Sequence, residues 1–504
     1  MTAPAAPSGP LPQGVAVALV AGSSAAVLVV ELVALRLLAP YLGLTLETST
    51  LVIGIALAAI ALGSWVGGVA ADRRDPRALL APLLGVSGVA VAATPLLVRT
   101  VAETAEVFLV PVATATILVP GALLSAVSPA VTKIQLTTLE ETGAVVGRLS
   151  GVGTIGAIAG TVLTGFVLIS RLPVSGILLG LGVLLVVVAL VLPVLGLGSL
   201  PGRGGRPGAA LVLVLGGTTA VTTLAPGGCD RETTYHCARV EADPERPGGR
   251  TLVLDGLRHS YVDVDDPTHL EFTYVRAIAA AVDARYPAGV ALRAHHLGGG
   301  GLTLPRFLDV VRPGTRSTVS EIDPGVVALD RELLGLDDGP GTGLEVRVED
   351  GRLGLARLPD AVHDLVVGDA FGGVAVPWHL TTVEVVREVD RVLADDGLYA
   401  VNLIDYGDLA FARAELATLA AVFPHVVLLA DAADRGPDPD GGNLVALAGR
   451  RPIDPAALTA ALAARDVDWA PLAGPALDAW LRDAEVLTDD RAPVDQLLQP
   501  APLP

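Results

Sequence analysis

The chain has 504 residues, enough for two or more domains. Hydrophobic residues make up 52% and mean hydropathy is +0.60, which excludes a wholly soluble protein. Net charge is −19 but uneven: residues 1–226 carry +2 and the remainder −21, so no basic surface for nucleic acid is present. Two cysteines exclude a disulfide scaffold and a Cys-rich zinc domain.

Residues 1–14 carry no charge and several prolines, and read as a disordered tail. A transmembrane domain of about seven helices follows over 15–226. The predicted spans are 15–38, 49–70, 79–98, 107–128, 149–169, 174–195 and 208–225, each near the length that crosses ~30 Å of hydrocarbon. Small residues are dense in the second (Gly63, Gly67, Gly68) and fifth (Gly151, Gly153, Gly156, Gly160), a pattern that lets helix backbones approach closely. Glu31 and Arg36 fall in the first span, where charge is costly; a substrate pathway and a structural or snorkelling role both stay open. Arg73, Arg74 and Arg77, Lys133 and Arg148, and Arg203 and Arg206 concentrate positive charge in the even loops. The positive-inside rule therefore places those loops and the N-terminus in the cytoplasm. Seven spans then put the C-terminal half outside; six or eight keep it inside. Cys229 and Cys237 follow the last span, and in an oxidising compartment they can pair.

Short alternating runs, ARVEA, TLVLDG and SYVDV, predict a small antiparallel β unit within 227–268. An α/β domain over 269–504 follows. A helix from His269 to Tyr286 precedes strands GVALRAHHL, STVSEID, LEVRVED, HDLVVGD and GLYAVNLID, with helices between them, and HVVLLAD and NLVALAG add two more strands. Such alternation predicts a parallel sheet with helices on both faces, and ligands bind at the carboxyl ends of its strands. Those ends hold the glycine turn Gly298–Gly301, Glu321, Asp350 with Gly351, and Asp369. The turn lies between a strand and a helix N-terminus, the setting of a nucleotide site. Glu321 is placed to hold ribose hydroxyls, Asp350 to accept from an adenine amine, and Asp369 to act as a base. His295 and His296 close the first strand in a packing or surface role; no metal site is expected.

The motifs ELVALRLLAPYLG, ALGSWVGGVAADR and GVGTIGAIAGTVLTGF, with TYHCARVE, LDGLRHS, LGGGGLTLPRFL, SEIDPGVV, VEDGR, GDAFGG, PWHLTTVE and LTDDRAPVD, resemble the spermidine synthases. They are most similar to the membrane-fused branch of that polyamine aminopropyltransferase family. The resemblance implies a methyltransferase-like (spermidine-synthase-like) fold with a small preceding β unit. It implies aminopropyl transfer from decarboxylated S-adenosylmethionine to a polyamine or other amine, with no metal. It assigns Asp369 as proton acceptor, Glu321, Asp350 and Gly298–Gly300 to the nucleoside, and His236 and His259 to positions where the family has nucleoside-contacting glutamines. It implies a homodimer as one assembly and the lipid bilayer as surroundings. Where the family has an aspartate that holds the aminopropyl amine this chain has Gly301, where it has a second aspartate near the acceptor diamine it has Gly372, and a Tyr-His-Glu appears as Tyr274, Val275 and Arg276, which removes much of the negative field a dication needs. A transporter or transport-linked binding protein with a non-catalytic, sensor-like domain is the alternative reading.

Overall fold

The computed structural model describes residues 9–42, 46–138, 141–169, 171–197, 216–217, 229–339, 342–373, 375–436 and 439–499. The chain divides into two units, Met1–His236 and Cys237–Pro504. Each is described by itself.

The first unit is helical. Helices α1 (Gln13–Leu42), α2 (Leu46–Arg73), α3 (Pro76–Thr104), α4 (Leu109–Ser125), α5 (Val127–Gln135), α6 (Thr142–Leu163) and α7 (Val174–Val194) follow in order. Helices α4 and α5 together make one span, and α6 runs on through a π-turn at Thr164–Leu168. Among the described residues six helices are therefore long and apolar enough to cross a membrane. Of the predicted seventh span, 208–225, all but Gly216 and Gly217 lies outside the described residues, as do residues 1–8 of the predicted tail.

Close backbone packing explains the glycine-dense spans. A β-carbon on Gly156 would stand 2.6 Å from the Ala21 Cα, and one on Gly160 would stand 2.8 Å from the Ala25 Cα, so α1 and α6 meet where only glycine fits. Gly67 of α2 meets Ala126 in the same way. The two ends of the bundle differ. At one, Lys133 pairs with Asp72 at 2.8 Å, Arg77 donates to the Gly9 carbonyl, and Gln135 donates to the Leu11 carbonyl at 3.1 Å. Leu197, just past α7, packs on the cluster containing Leu11. At the other end Arg36 donates to the Thr233 carbonyl at 2.9 Å, and Glu232 binds both Arg99 and Ser175. A thirty-residue helix separates Leu11 from the Arg36 end, so Leu197 and Glu232 stand at opposite ends of this unit. Both cysteines are disulfide-bonded.

The second unit begins with the expected antiparallel strands: β1 (Cys237–Ala242), β2 (Gly249–Leu254) and β3 (Leu257–Asp263). Asp255 and Gly256 both have positive φ, 51° and 82°, the two-residue hairpin turn that an Asp-Gly pair favours. Helix α8 (Thr273–Arg285) leads into the main sheet. Its strands are β4 (Arg293–Leu297), β5 (Arg316–Glu321), β6 (Leu344–Val348), β7 (His363–Gly368), β8 (Leu393–Asp405), β9 (His425–Ala430), β10 (Gly442–Gly449) and β11 (Ala470–Ala473). Their spatial order is β11-β9-β10-β8-β7-β4-β5-β6.

Five strands, β6-β5-β4-β7-β8, pair in parallel as expected. The last two expected strands do not extend that arrangement. β10 enters between β8 and β9 and runs antiparallel to both. A short eleventh strand, which the proline-containing APLA segment hid, pairs antiparallel with β9. Two reversed strands, β10 and the short edge strand β11, at one end of an otherwise parallel doubly wound sheet give a methyltransferase-like topology.

Both faces of the sheet are covered. In β8, Tyr399, Val401 and Leu403 join one buried cluster, with residues of α12 (Val383–Val392) and α13 (Ala410–Ala420). Leu398 and Ala400 join the other, with α8 and with Leu458 and Leu462 of α14 (Pro455–Ala464). Period-two alternation of apolar residues therefore fills two cores at once, which is why the strand reads as a nearly continuous apolar run.

Candidate active site

The strand order reverses direction of growth between β4 and β7, which opens a crevice at their carboxyl ends. The glycine turn leaves β4 on one side of it and Asp369 leaves β7 on the other. The Asp369 N–H donates to the Leu297 carbonyl at 2.9 Å, and Gly298 N–H donates to the Ser320 carbonyl at 3.0 Å. Gly298 has φ +98°, and a β-carbon there would overlap the Asp369 carbonyl. Glycine is thus required where the two strand ends cross.

Carboxylates hold the rest of the turn. Glu321, at the end of β5, accepts from Gly299 N–H at 2.7 Å through Oε2 and from Asp323 N–H at 2.7 Å through Oε1. Asp323 in turn caps α10 (Pro324–Leu333), accepting from Gly325 N–H at 2.8 Å. Gly301 has φ +72° and Leu302 φ +54°, and helix α9 (Thr303–Val311) starts directly after them. A β-carbon on Gly301 would overlap the Ser260 hydroxyl of β3 and lie 3.0 Å from its Cβ. The glycine that stands where the resembling family has an aspartate is therefore fixed by local packing. Gly372, the second such position, has open space around it.

Asp369 is only partly exposed. Its Oδ1 accepts from the Asn402 amide at 2.8 Å and its Oδ2 from the Tyr274 hydroxyl at 3.1 Å. The Asn443 amide donates to Asn402 Oδ1 at 3.0 Å, which orients Asn402 as donor toward the carboxylate. Burial raises the Asp369 carboxyl to about 6, against the opposing pull of the Asn402 and Tyr274 hydrogen bonds. A carboxyl with that value is an effective base near neutral pH and is still easily recharged.

Asp350 caps the short helix α11 (Gly351–Leu355), accepting from Leu353 N–H at 3.0 Å, and contacts His379 Nε2 at 2.9 Å. Burial alone would raise its carboxyl; the Leu353 N–H and His379 outweigh that, and it lies below the usual range. A β-carbon on Gly351 would stand 3.2 Å from Leu297 Cδ2, so this glycine packs under the end of β4. Arg352 forms a paired contact with Asp489, at 2.7 and 2.6 Å, and Asp489 also accepts from Thr382 at 2.7 Å. The PWHLTTVE and LTDDRAPVD motifs are thereby joined beside Asp350.

His259 lies half-buried on β3 of the small sheet. His236 ends the first unit. Arg276 sends its guanidinium toward the Arg465 and Asp466 carbonyls, at 3.5 and 3.4 Å, and to Thr273. His295 and His296 are both buried within the sheet, a packing role, and burial depresses both to about 3. Among the described residues no group of three or more His, Cys, Asp or Glu is placed to hold a metal.

Asn402 and Asn443 were missed from sequence, although a lone amide inside LYAVNLI was a usable signal. The reason Asn443 reaches Asn402 is the reversed strand, which brings the first residues of β10 to the edge where parallel strands end.

No family profile matches the chain. An N-terminal histidine N-methyltransferase of Emericella nidulans is 30% identical over 190 residues, covering 36% of this chain and 33% of that protein. A polyamine aminopropyltransferase of Chromobacterium violaceum is 26% identical over 147 residues, covering 28% of this chain and 53% of that protein. The chain thus spans between a third and about half of the curated relatives it matches. Among solved structures, a probable spermidine synthase from Corynebacterium glutamicum has 29% identity and a TM-score of 0.48, covering 51% of this chain and 95% of that one.

Proposed function

From a C-terminal half that is spermidine-synthase-like and related to the polyamine aminopropyltransferases, we infer a membrane-bound transferase that uses an adenosyl sulfonium nucleoside. Its first candidate reaction is aminopropyl transfer from decarboxylated S-adenosylmethionine to an amine. The observation that carries this reading is Asp369: a carboxyl held by two neutral donors at the crevice, with its value raised to about 6 by burial.

The residues suit such a co-substrate. Glu321 and Asp350 offer carboxylate acceptors for ribose hydroxyls and an adenine amine. Gly298–Gly300 and Gly351 give backbone access. In the reaction, the acceptor ammonium gives its proton to Asp369. The free amine then attacks the methylene carbon bound to sulfur. The N–C bond forms, the C–S bond breaks, and its electron pair stays on sulfur as neutral methylthioadenosine leaves. The sulfonium needs no acid to depart, so positioning and proton acceptance are what the protein supplies. Gly301 offers no carboxylate to the donor's aminopropyl amine and Gly372 none to the acceptor, so putrescine turnover is expected to be poor and the preferred amine to carry one positive charge.

Calorimetry of the purified full-length protein with methylthioadenosine tests the site. Binding that Glu321→Gln weakens is expected; unchanged binding in that variant would refute the assignment.

Topology favours a second reading, a transport-linked binding protein. Leu197 and Glu232 stand at opposite ends of the helical unit, so the chain leaves it at the end away from the N-terminus. The distribution of loop arginines supports an outside location for that end, where an oxidised cysteine pair is at home. A C-terminal reporter active in only one compartment separates the readings. A cytoplasmic result supports the transferase; an external one removes its cytosolic donor.

A further inference from the structure

Asp330 takes no part in the chemistry above. It lies on α10, four residues after Val326 and three after Val327, on the helix face turned to the core. Its side chain is fully buried. Oδ1 accepts from Gly301 N–H at 3.2 Å, and Oδ2 has no hydrogen-bond partner. Two further buried polar atoms beside this residue and this turn also lack partners, Ser260 Oγ and Arg306 Nη1. Buried polar groups are nearly always satisfied, and an apolar residue on this face would avoid the penalty of burying a carboxyl. The carboxyl therefore earns its place through the bond it makes to Gly301. The charged groups facing it are Glu321, Arg306 and Arg331; burial raises its value well above the usual range, Glu321 adds to that, and Gly301 N–H and the two arginines oppose it.

We propose that Asp330 is a positioning residue for the nucleoside-binding turn. Its carboxyl holds Gly301 N–H and so fixes the left-handed pair Gly301–Leu302 that starts α9. Glu321 holds Gly299 N–H from the end of β5, and the turn is clamped at two alternate residues from two different elements. Gly300, between them, is presented in one conformation before any ligand arrives. A turn set in advance binds without an ordering penalty. This role rests on the nucleoside reading for its functional consequence, but the clamp itself does not.

The test compares full-length wild type with Asp330→Asn and Asp330→Leu. Amide hydrogen exchange over 298–304 reads the clamp without ligand, and calorimetry with methylthioadenosine reads its effect on binding. Asparagine keeps the Oδ1 acceptor, so its exchange and affinity should stay within about twofold of wild type. Leucine removes it, so exchange should rise and affinity fall by about tenfold each. If the leucine variant does not fold, Asp330→Ala carries the same expectation. Unchanged exchange in leucine or alanine, or asparagine behaving like leucine, overturns the proposal. If wild type binds no nucleoside, the functional reading fails while the exchange result still decides whether Asp330 holds the turn.

Discussion

Tyr274→Phe isolates how Asp369 is tuned. The substitution removes one hydroxyl, 3.1 Å from Oδ2, and leaves the ring among its buried neighbours. Asp369 now titrates at about 6 rather than 3.8, because burial outweighs the two hydrogen bonds that favour the charged form. A hydrogen bond to a charged group is worth about 1.5 kcal/mol net, which is about one pKa unit. The carboxyl should therefore move up by about one unit. If deprotonated Asp369 is the proton acceptor, the acid limb of the kcat/KM profile moves to higher pH by the same amount. Infrared difference titration of the carboxyl, with Asp369→Asn to assign the band, gives the shift without turnover. The stability sign follows from the raised value. The protonated form is favoured in the folded state, so this contribution is fully present below about 4 and lost as pH rises through about 6. Tyr274→Phe should then destabilise the protein more at pH 8 than at pH 4. A carboxyl that stays put or moves down would refute the account of Asp369 as a buried base held charged by neutral donors.

Glu321→Gln leaves one of two backbone N–H groups, Gly299 or Asp323, without its acceptor; methylthioadenosine affinity should fall about tenfold or more, measured by calorimetry. Gly301→Asp combines a left-handed backbone with overlap on Ser260, so it should lower stability by about 2 kcal/mol or more in thermal unfolding, partly recovered by adding Ser260→Gly. Gly156→Leu should break the α1–α6 seam and lose the monodisperse peak in detergent. Gly151→Leu, on the same helix with open space around it, should keep that peak.

The sheet was legible because period-two apolar runs and strand-end glycines and acids are local signals. Thus β4, β5, β6, β7 and β8 came out where expected, and so did the turn and Asp369. The departures have one cause: partners set by tertiary pairing. The direction of β10 is invisible in NLVALAG, since an apolar run buried on both faces reads the same either way. The short β11 carries a proline and no alternation. Arg276 stands where the resembling family has the glutamate of its Tyr-His-Glu, yet its carbonyl partners lie 189 and 190 residues away in sequence. Asp330 had a usable signal, an acid on the Val326 face of its helix, but nothing local said that Gly301 was its partner.

The reversed strand has an evolutionary consequence. Parallel strands deliver active-site residues from their ends, whereas β10 delivers Asn443 from its beginning, immediately after the connection from β9. That connection is tied down by Asp434, which accepts from Gly441 N–H at 2.7 Å. Connections change length easily among relatives. Losing one residue before Asn443 would turn its amide to the opposite face of the sheet and leave Asn402 unsteered. A loop indel that leaves every motif intact can therefore undo the hold on Asn402, so motif content alone is a poor guide to which relatives keep the Asp369 arrangement.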